Sequence, residues 1–497
     1  MEKLKEKYDE LEQKYVNLNA DYLKVKYELE QLKRHIFGRR SERYVPPSEP
    51  ADSEQINIPI ELENSDNSEK SDVKKTSSPA SEPQKKKGHG RGKMPTNLPV
   101  VEIVLEPNFD VSNLRKIGEE ISWEFDWIPG QLTIRKYIRP KYVNDAENEL
   151  ITAPLPKRFT EKGNFSETLA AYIVVEKYLY HMPLYRIIQK FNREYSIEFA
   201  ASTLSDVISQ SAFWLESIYY ELKKKLITAS YVQADETTMK VLCDEKKGTA
   251  HTGYFWAYHD PLNQIVLFDY QKGRHHDNPQ KFLHDFAGIL QADGYQAYDK
   301  MGLLEGVERA SCMAHVRRYF EKALSNDEAR SSYALGVIKE WFMVERKAKD
   351  LNLNSEERLK LRKENGLEKS FDDFREWLLK TAMDTAPKDP IRRACEYTLG
   401  QWKGFDSYLS DGRVELSTNL LEAQIRPIAL GRKNYLFTGS HEAAQKAAMI
   451  YSIIATAKAN GIEPHSYIQY LLTELPKAQS NDIEYLLPYN YGNSEIK

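Results

Sequence analysis

SYVQADETTMKVL (230–242), GYFWAYHDPLNQIVLFDY (253–270) and GILQADGYQAYD (288–299) decide the fold class. Each contains a β-rich run ending in polar or turn residues, and helical patterns follow the later runs, so a mixed α/β core begins after residue 229. GYFWAYH and QIVLFDY are expected to pair as a hairpin across Asp260-Pro261-Leu262-Asn263. The first strand is expected to end at Asp235-Glu236 and another at Asp293-Gly294. That order puts two carboxylates at the ends of strands able to lie side by side, where open-sheet active sites tend to sit.

A third acid stands downstream, in RVELSTNLLEAQIRPIALGRKNYLFTGS (413–440). Ser417 or Thr418 is expected to cap a helix there, with Glu422 on its first turns and facing the same way as Arg426, four residues on. Carboxylates converging from two strands and one helix suit two Mg2+ (or Mn2+) ions about 4 Å apart, because hard cations take oxygen ligands. One ion activates a water or 3′-hydroxyl, and the other stabilises the leaving oxygen of an in-line phosphoryl displacement. Spacing alone leaves Glu236 open beside Asp235, and Glu415 open in place of Glu422.

Upstream, residues 161–228 read as a helical segment. SETLAAYIVVEKYLY and PLYRIIQKFNREY are separated by a break at Met182-Pro183, and STLSDVISQSAFWLESIYYELKKKL is expected to open at a Ser/Thr cap. Two short helices around a turn at 195–201 suit a helix-turn-helix whose second member, starting at Ala201, Ser202 and Thr203, enters the major groove. Residues 96–160 alternate like a small β domain, with Leu132, Ile134 and Ile138 on one face and Arg135, Tyr137 and Arg139 on the other. Residues 46–95 are rich in Ser, Glu, Pro, Asn and Lys and end in KKKGHGRGK, the composition of a disordered linker with a basic tail. Within 1–45, Leu4, Leu11, Leu18, Val25 and Leu32 recur at steps of seven, with Tyr8, Tyr15, Tyr22 and Leu29 four after the first four. This a/d seam predicts self-association through a coiled coil. Arg39, Arg40 and Arg43 follow it as a basic end suited to phosphate contacts.

A chain of 497 residues exceeds what one hydrophobic core sustains. With 41% hydrophobic and 29% charged residues it reads as a soluble globular protein. It has no apolar run of membrane-spanning length and opens MEKLKEKYDE, unlike a secretory signal, so a cytoplasmic location and no membrane partner are expected. Cys243, Cys312 and Cys395 are too far apart for a disulfide framework or a CxxC pair. The net charge of -4 gives no global attraction for phosphates, leaving that role to local patches.

QADETTMKV, LQADGYQAY, CMAHVRRYFEKAL (312–324) and STNLLEAQIRPIALGRKNYLFTGS closely resemble successive blocks of transposases in the insertion sequence sixty-six family. The resemblance continues through LKRHIFGRRSER, IGEEISWEFDWIPGQLTIRKYIRPKY, HMPLYR and AAMIYSIIATAKANGIEPHSYIQYLL, covering nearly everything but the linker. It implies an RNase H-like catalytic core over 229–440 and a D-D-E triad carried by Asp235, Asp293 and Glu422. The interval from Asp293 to Glu422 then needs an insertion, and about 325–400 reads as a helical one, with a C-terminal helical region over 441–497. The resemblance also implies binding to DNA at element ends and target, and accessory proteins of the same element. Through these blocks His315 and Arg318 are placed near a substrate phosphate or an active-site carboxylate, and Asn419, Arg426, Arg432 and Lys433 against the scissile strand. Cys312 is expected to be packing. Family members usually carry two zinc-binding cysteine pairs around IGEEIS and RPKY. Here those places read NFDVSNLRK and KYVNDAENE, so zinc is not expected. A coiled-coil DNA-binding protein without turnover would predict a damaged acid, yet all three are present. An RNase H-like nuclease without strand transfer has no use for the zipper.

Overall fold

The computed structural model describes residues 130, 132–135, 141–144, 149–152, 157–160, 164–242, 250–478 and 483–492. The heptad seam of 1–45, the linker of 46–95 and most of 96–160 lie outside them. The described residues fall into two units, 130–152 and 157–492.

In the first unit β1 (Lys141–Asn144) and β2 (Glu149–Thr152) form an antiparallel hairpin with Lys141 opposite Thr152. Residues 132–135, expected in a half-buried strand, are not in one: they carry no ladder, and Ile134 is 94% exposed. Alternation becomes a strand only where a neighbour takes its backbone hydrogen bonds, and the two described strands of this unit pair with each other.

The second unit opens with α1 (Glu167–Tyr178), α2 (Leu184–Tyr195) and α3 (Ala201–Ile227). Ser166 caps α1 by accepting the Leu169 N–H at 3.2 Å, and Pro183 stands at the head of α2 as the break predicted. Two expectations for α3 fail. It starts after Ala200 with no side-chain cap, and it is long, at 27 residues. Leu204, Val207, Ile208, Leu215, Ile218, Tyr219, Leu222 and Leu226 keep one face buried throughout, and such packing stabilises a helix more than a missing cap costs.

The sheet comprises β3 (Tyr231–Leu242), β4 (Ala250–Asp260), β5 (Ile265–Gln271), β6 (Gly288–Ala292) and β7 (Val307–Ser311). Its order is β5-β4-β3-β6-β7. β5, β4 and β3 form an antiparallel meander, while β6 and β7 continue parallel to β3. The β4–β5 hairpin forms where expected because Asp260 Oδ1 accepts the N–H groups of Leu262 (2.9 Å) and Asn263 (3.1 Å). Short helices α4 (Asn278–Phe282) and α5 (Gln296–Met301) link the later strands.

After β7 come α6 (Met313–Ala323), α7 (Glu328–Asp350), α8 (Ser355–Glu364), α9 (Leu367–Met383), α10 (Pro390–Gly400), the short α11 (Asp406–Ser410), α12 (Asn419–Tyr435), α13 (His441–Ala459) and α14 (Pro464–Glu474). Helices α7 to α10 thus fill the interval predicted to be helical. They share a core with the sheet: Trp341 stacks on Phe371 at 3.9 Å, in one cluster with Tyr231, Ile289, Ala310 and Phe320. Edge strand β5 is closed by α13. Ser452 Oγ accepts the Phe268 N–H (2.8 Å), and Thr456 Oγ1 both accepts from Val266 N (3.1 Å) and donates to Val266 O (2.9 Å). Helix hydroxyls stand where a sixth strand would otherwise pair. Among the described residues no helix is long and apolar enough to cross a membrane.

Candidate active site

Strand β3 does not end at Asp235-Glu236 as expected. It runs to Leu242, because its antiparallel ladder with β4 continues to Leu242 opposite Ala250. What ends there is the parallel ladder with β6, whose last pair is Gln233 with Gln291. Asp235 and Asp293 each lie two residues beyond that pair, side by side at the C-terminal mouth of the parallel strands.

Glu422 sits in the first turn of α12. Thr418 is the N-cap, as the sequence suggested, but makes no side-chain cap, because its hydroxyl faces the Cys312 sulfur at 3.3 Å. That sulfur also accepts the Thr418 N–H at 3.3 Å, so buried Cys312 joins the end of β7 to the head of α12. One ligand atom from each of Asp235, His315 and Glu422 lies within 4.8 Å of the other two. Arg318, one turn past His315 on α6, donates from Nη2 to Glu422 Oε1 at 2.7 Å. Glu415, the alternative third acid, is held elsewhere by Arg358 Nη2 at 2.6 Å.

Asp293 is outside that three-ligand group, although its charge reaches Asp235 and Glu236. Its Oδ1 accepts the Tyr295 N–H (3.0 Å), its carbonyl is held by Arg309, and the next N–H, of Gly294, meets the Tyr397 hydroxyl (3.2 Å). Glycine is required at 294, since a Cβ would lie 2.8 Å from the Tyr397 ring. Through this contact α10 braces the loop carrying Asp293. Glu236, the other alternative, faces Arg274 Nε (2.7 Å) and the Tyr298 hydroxyl (2.9 Å).

Beneath the acids lies a fully buried amide network that sequence reading left unassigned. Gln291 Nε2 donates to Ser311 O (3.0 Å) and Glu415 O (2.7 Å), and its Oε1 accepts from Tyr231 Oη (2.6 Å) and Gln233 Nε2 (3.0 Å). Gln233 Nε2 also reaches Ser417 O at 3.2 Å. The repeated Gln-Ala-Asp of QADE and QADG was the available signal: each glutamine precedes its aspartate by two and locks together the segments bearing Asp235, Asp293 and Glu422. Glu345, on α7, and Arg358 and Arg362, on α8, act similarly. Arg362, 1% exposed, donates to Glu345 (2.8 Å) and to the carbonyls of Tyr408 (2.6 Å), Asp411 (3.0 Å) and Val414 (2.8 Å), just ahead of α12.

The buried acids and the histidine shift one another's titration. Burial pushes the Asp235 carboxyl up to about 8, with Glu236, Asp293 and Glu422 adding to the rise and His315 opposing it. His315 is raised to about 9. Burial alone would lower it, but the adjacent Cys312 and Asp235 outweigh that. Two carboxylates and an imidazole converging on one point are a donor set that divalent transition metals and Mg2+ both accept, the imidazole favouring the former.

Other residues singled out from the sequence lie as follows. Arg426 and Lys433 are exposed on α12. Arg432 is engaged with Thr237 Oγ1 (2.9 Å) and Thr238 O (2.7 Å), pinning α12 to β3. Asn419 Oδ1, at the helix head, is buried with no hydrogen-bond partner among the described residues. Arg135 is exposed in the first unit, and Arg39, Arg40, Arg43 and Arg139 lie outside the described residues.

Residues 162–446 match the family described as Transposase IS66 family, and residues 452–489 match the IS66 C-terminal element. Residues 24–103 match the Transposase C of IS166 homeodomain. Among curated proteins the chain is similar to uncharacterized protein y4jD of Sinorhizobium fredii (strain NBRC 101917 / NGR234), at 28% identity over 99% of each chain. It is also similar to uncharacterized protein y4hP of the same strain, at 27% identity over 93% of this chain and 88% of the relative.

Proposed function

The chain belongs to the IS66 transposase family, and from that premise we propose that it is a DDE-type DNA transposase, which cleaves strands at the ends of an insertion sequence and joins them to target DNA. The observation that carries this reading is the meeting of Asp235 and Glu422 within ligand distance, with Asp293 beside Asp235 at the end of the parallel ladder. A meander followed by two parallel strands, in the order β5-β4-β3-β6-β7, supports an RNase H-like core.

In this reading Asp235, Asp293 and Glu422 would hold divalent ions, Mg2+ or Mn2+, and His315 stands within reach as a nitrogen ligand once it has given up its proton. When bound, such ions supply Lewis-acid activation of the attacking oxygen and charge stabilisation of the leaving one. The protein's share is positioning. Arg318 fixes the Glu422 carboxylate by its 2.7 Å contact, and the two glutamines hold both aspartates in register. Burial raises the Asp235 carboxyl to about 8, so a cation held there would displace its proton as it bound. The α1–α3 segment is the proposed reader of end DNA, the heptads of 1–45 the means of self-association, and Arg39, Arg40, Arg43, Arg135 and Arg139 backbone contacts.

The test is cleavage and joining of a labelled duplex carrying the element's end, with Mg2+, by wild type and by Asp235→Asn, Asp293→Asn and Glu422→Gln, with DNA binding followed in parallel. Loss of cleavage in all three with binding kept is the expected result. A Glu422→Gln enzyme that still cuts overturns the triad, and cutting without joining would make the chain a nuclease.

A further inference from the structure

Helix α12 carries Glu422 at one end and an unusual loop at the other. Glu422, Arg426, Leu430 and Lys433 stand at i, i+4, i+8 and i+11, on one face of the helix. Beyond Glu422 that face is open: Arg426 and Lys433 are exposed, and Leu430 is 46% exposed. It continues into Leu436 and Phe437, exposed by 66% and 45%.

These last two side chains are held out. Leu436 adopts φ 61 and ψ -41, and the Phe437 N–H closes onto Tyr435 O at 2.6 Å, a positive-φ γ-turn that is rare for a bulky residue. Both flanks are anchored. Thr438 exchanges backbone bonds with Lys240 (2.8 Å) and Leu242 (2.9 Å) at the end of β3, and the Tyr435 hydroxyl meets that of Tyr451. A strained turn that its surroundings over-determine is a mark of function.

We infer that Leu436 and Phe437 form a wedge that enters the base stack of the DNA being cut, while Arg426 and Lys433 hold the backbone leading to it. The inference rests on the transposase reading, since it takes Glu422 to mark the cut. A protein partner covering this stripe would bury two cations together with the leucines, whereas DNA pairs the cations with phosphates and accepts apolar side chains between base steps. At about 1.5 Å per helical residue, Phe437 lies roughly 20 Å along the axis from Glu422. With one base pair per roughly 3.4 Å, the opened step lies about six base pairs from the cut.

The experiment uses the full chain and an element-end duplex carrying 2-aminopurine at successive positions outward from the cut. Wild type should raise fluorescence about fivefold at one step near the sixth base pair, as an unstacked base does. Phe437→Ala should lose that rise and cut about tenfold more slowly, with binding within about threefold of wild type, and a mismatch at that step should restore cutting. Leu436→Gly, which relieves the positive φ while removing the side chain, should behave in the same way and shows that misfolding is not the cause. Wild type that cuts with no step opened, Phe437→Ala that cuts at the wild-type rate, or loss that a mismatch does not restore overturns the wedge. A wild type that opens a step and never cuts leaves the wedge standing and removes the cleavage reading instead.

Discussion

Replacing Gln291 with leucine removes a buried amide at nearly constant volume and tests whether the network beneath the acids holds the site together. In wild type the amide nitrogen donates to Ser311 O (3.0 Å) and Glu415 O (2.7 Å), and the oxygen accepts from Tyr231 Oη and Gln233 Nε2. Leucine leaves both carbonyls without a donor, at about 1–3 kcal/mol each, and a buried leucine returns about 1–2 kcal/mol. The net loss is about 3 kcal/mol, which for a unit of more than 300 residues lowers the melting temperature by roughly 4 °C. Gln291→Glu should cost more, because a carboxylate would face the two carbonyls. Thermal melts followed by circular dichroism read both values. Amide exchange should also quicken at Glu415, whose N–H meets the Tyr231 hydroxyl (3.1 Å). A Gln291→Leu protein melting within about 1 °C of wild type, or Gln291→Glu proving the more stable of the two, would show that the amide network does not hold the site together.

Arg362→Met should destabilise by about 3–5 kcal/mol in urea unfolding, because it strands Glu345 and three carbonyls. Adding Glu345→Gln should recover part of that loss, and strict additivity of the two would exclude their coupling. Thr456→Val should cost about 2–3 kcal/mol by orphaning both backbone groups of Val266 on the edge strand, and an unchanged urea midpoint would show that the edge does not need α13. His259 is 3% exposed, and neither ring nitrogen has a hydrogen-bond partner among the described residues. Burial lowers its pKa to about 4. Against an unfolded value of about 6.5, the unfolded chain binds the extra proton, so stability is complete above about pH 6.5 and falls by about 3 kcal/mol as pH drops to about 4. His259→Leu should flatten that stretch of the pH profile relative to wild type, and identical profiles would remove His259 as the cause.

How much was legible in the sequence follows from how local each cause is. The β4–β5 hairpin was, because Asp260 and Asn263 write their own turn. So were the approximate positions of Asp293 and Glu422, since a strand end and a helix start are marked by neighbouring residues. The continuation of β3 past Asp235 was not, because it depends on two partner strands of unequal reach. The same holds for Thr418, whose hydroxyl turns to a cysteine 106 positions away instead of capping its own helix. His315 was marked as near a phosphate or carboxylate, but its meeting with Asp235 and Glu422 follows from α6 packing Met313, Val316 and Phe320 into the core shared with the sheet. Ile134 shows the converse, alternation with no strand beside it among the described residues.

If Asp235, Asp293 and Glu422 hold a divalent cation, the segments that carry them converge on it. Replacing Mg2+ with Fe2+ and adding ascorbate and peroxide generates hydroxyl radicals at the ion, and these cut the polypeptide next to it. Fragments ending near residues 235, 293 and 422 are expected, suppressed by excess Mg2+ and absent from Asp235→Asn. Cuts confined to other segments, or an Asp235→Asn pattern identical to wild type, would contradict that convergence.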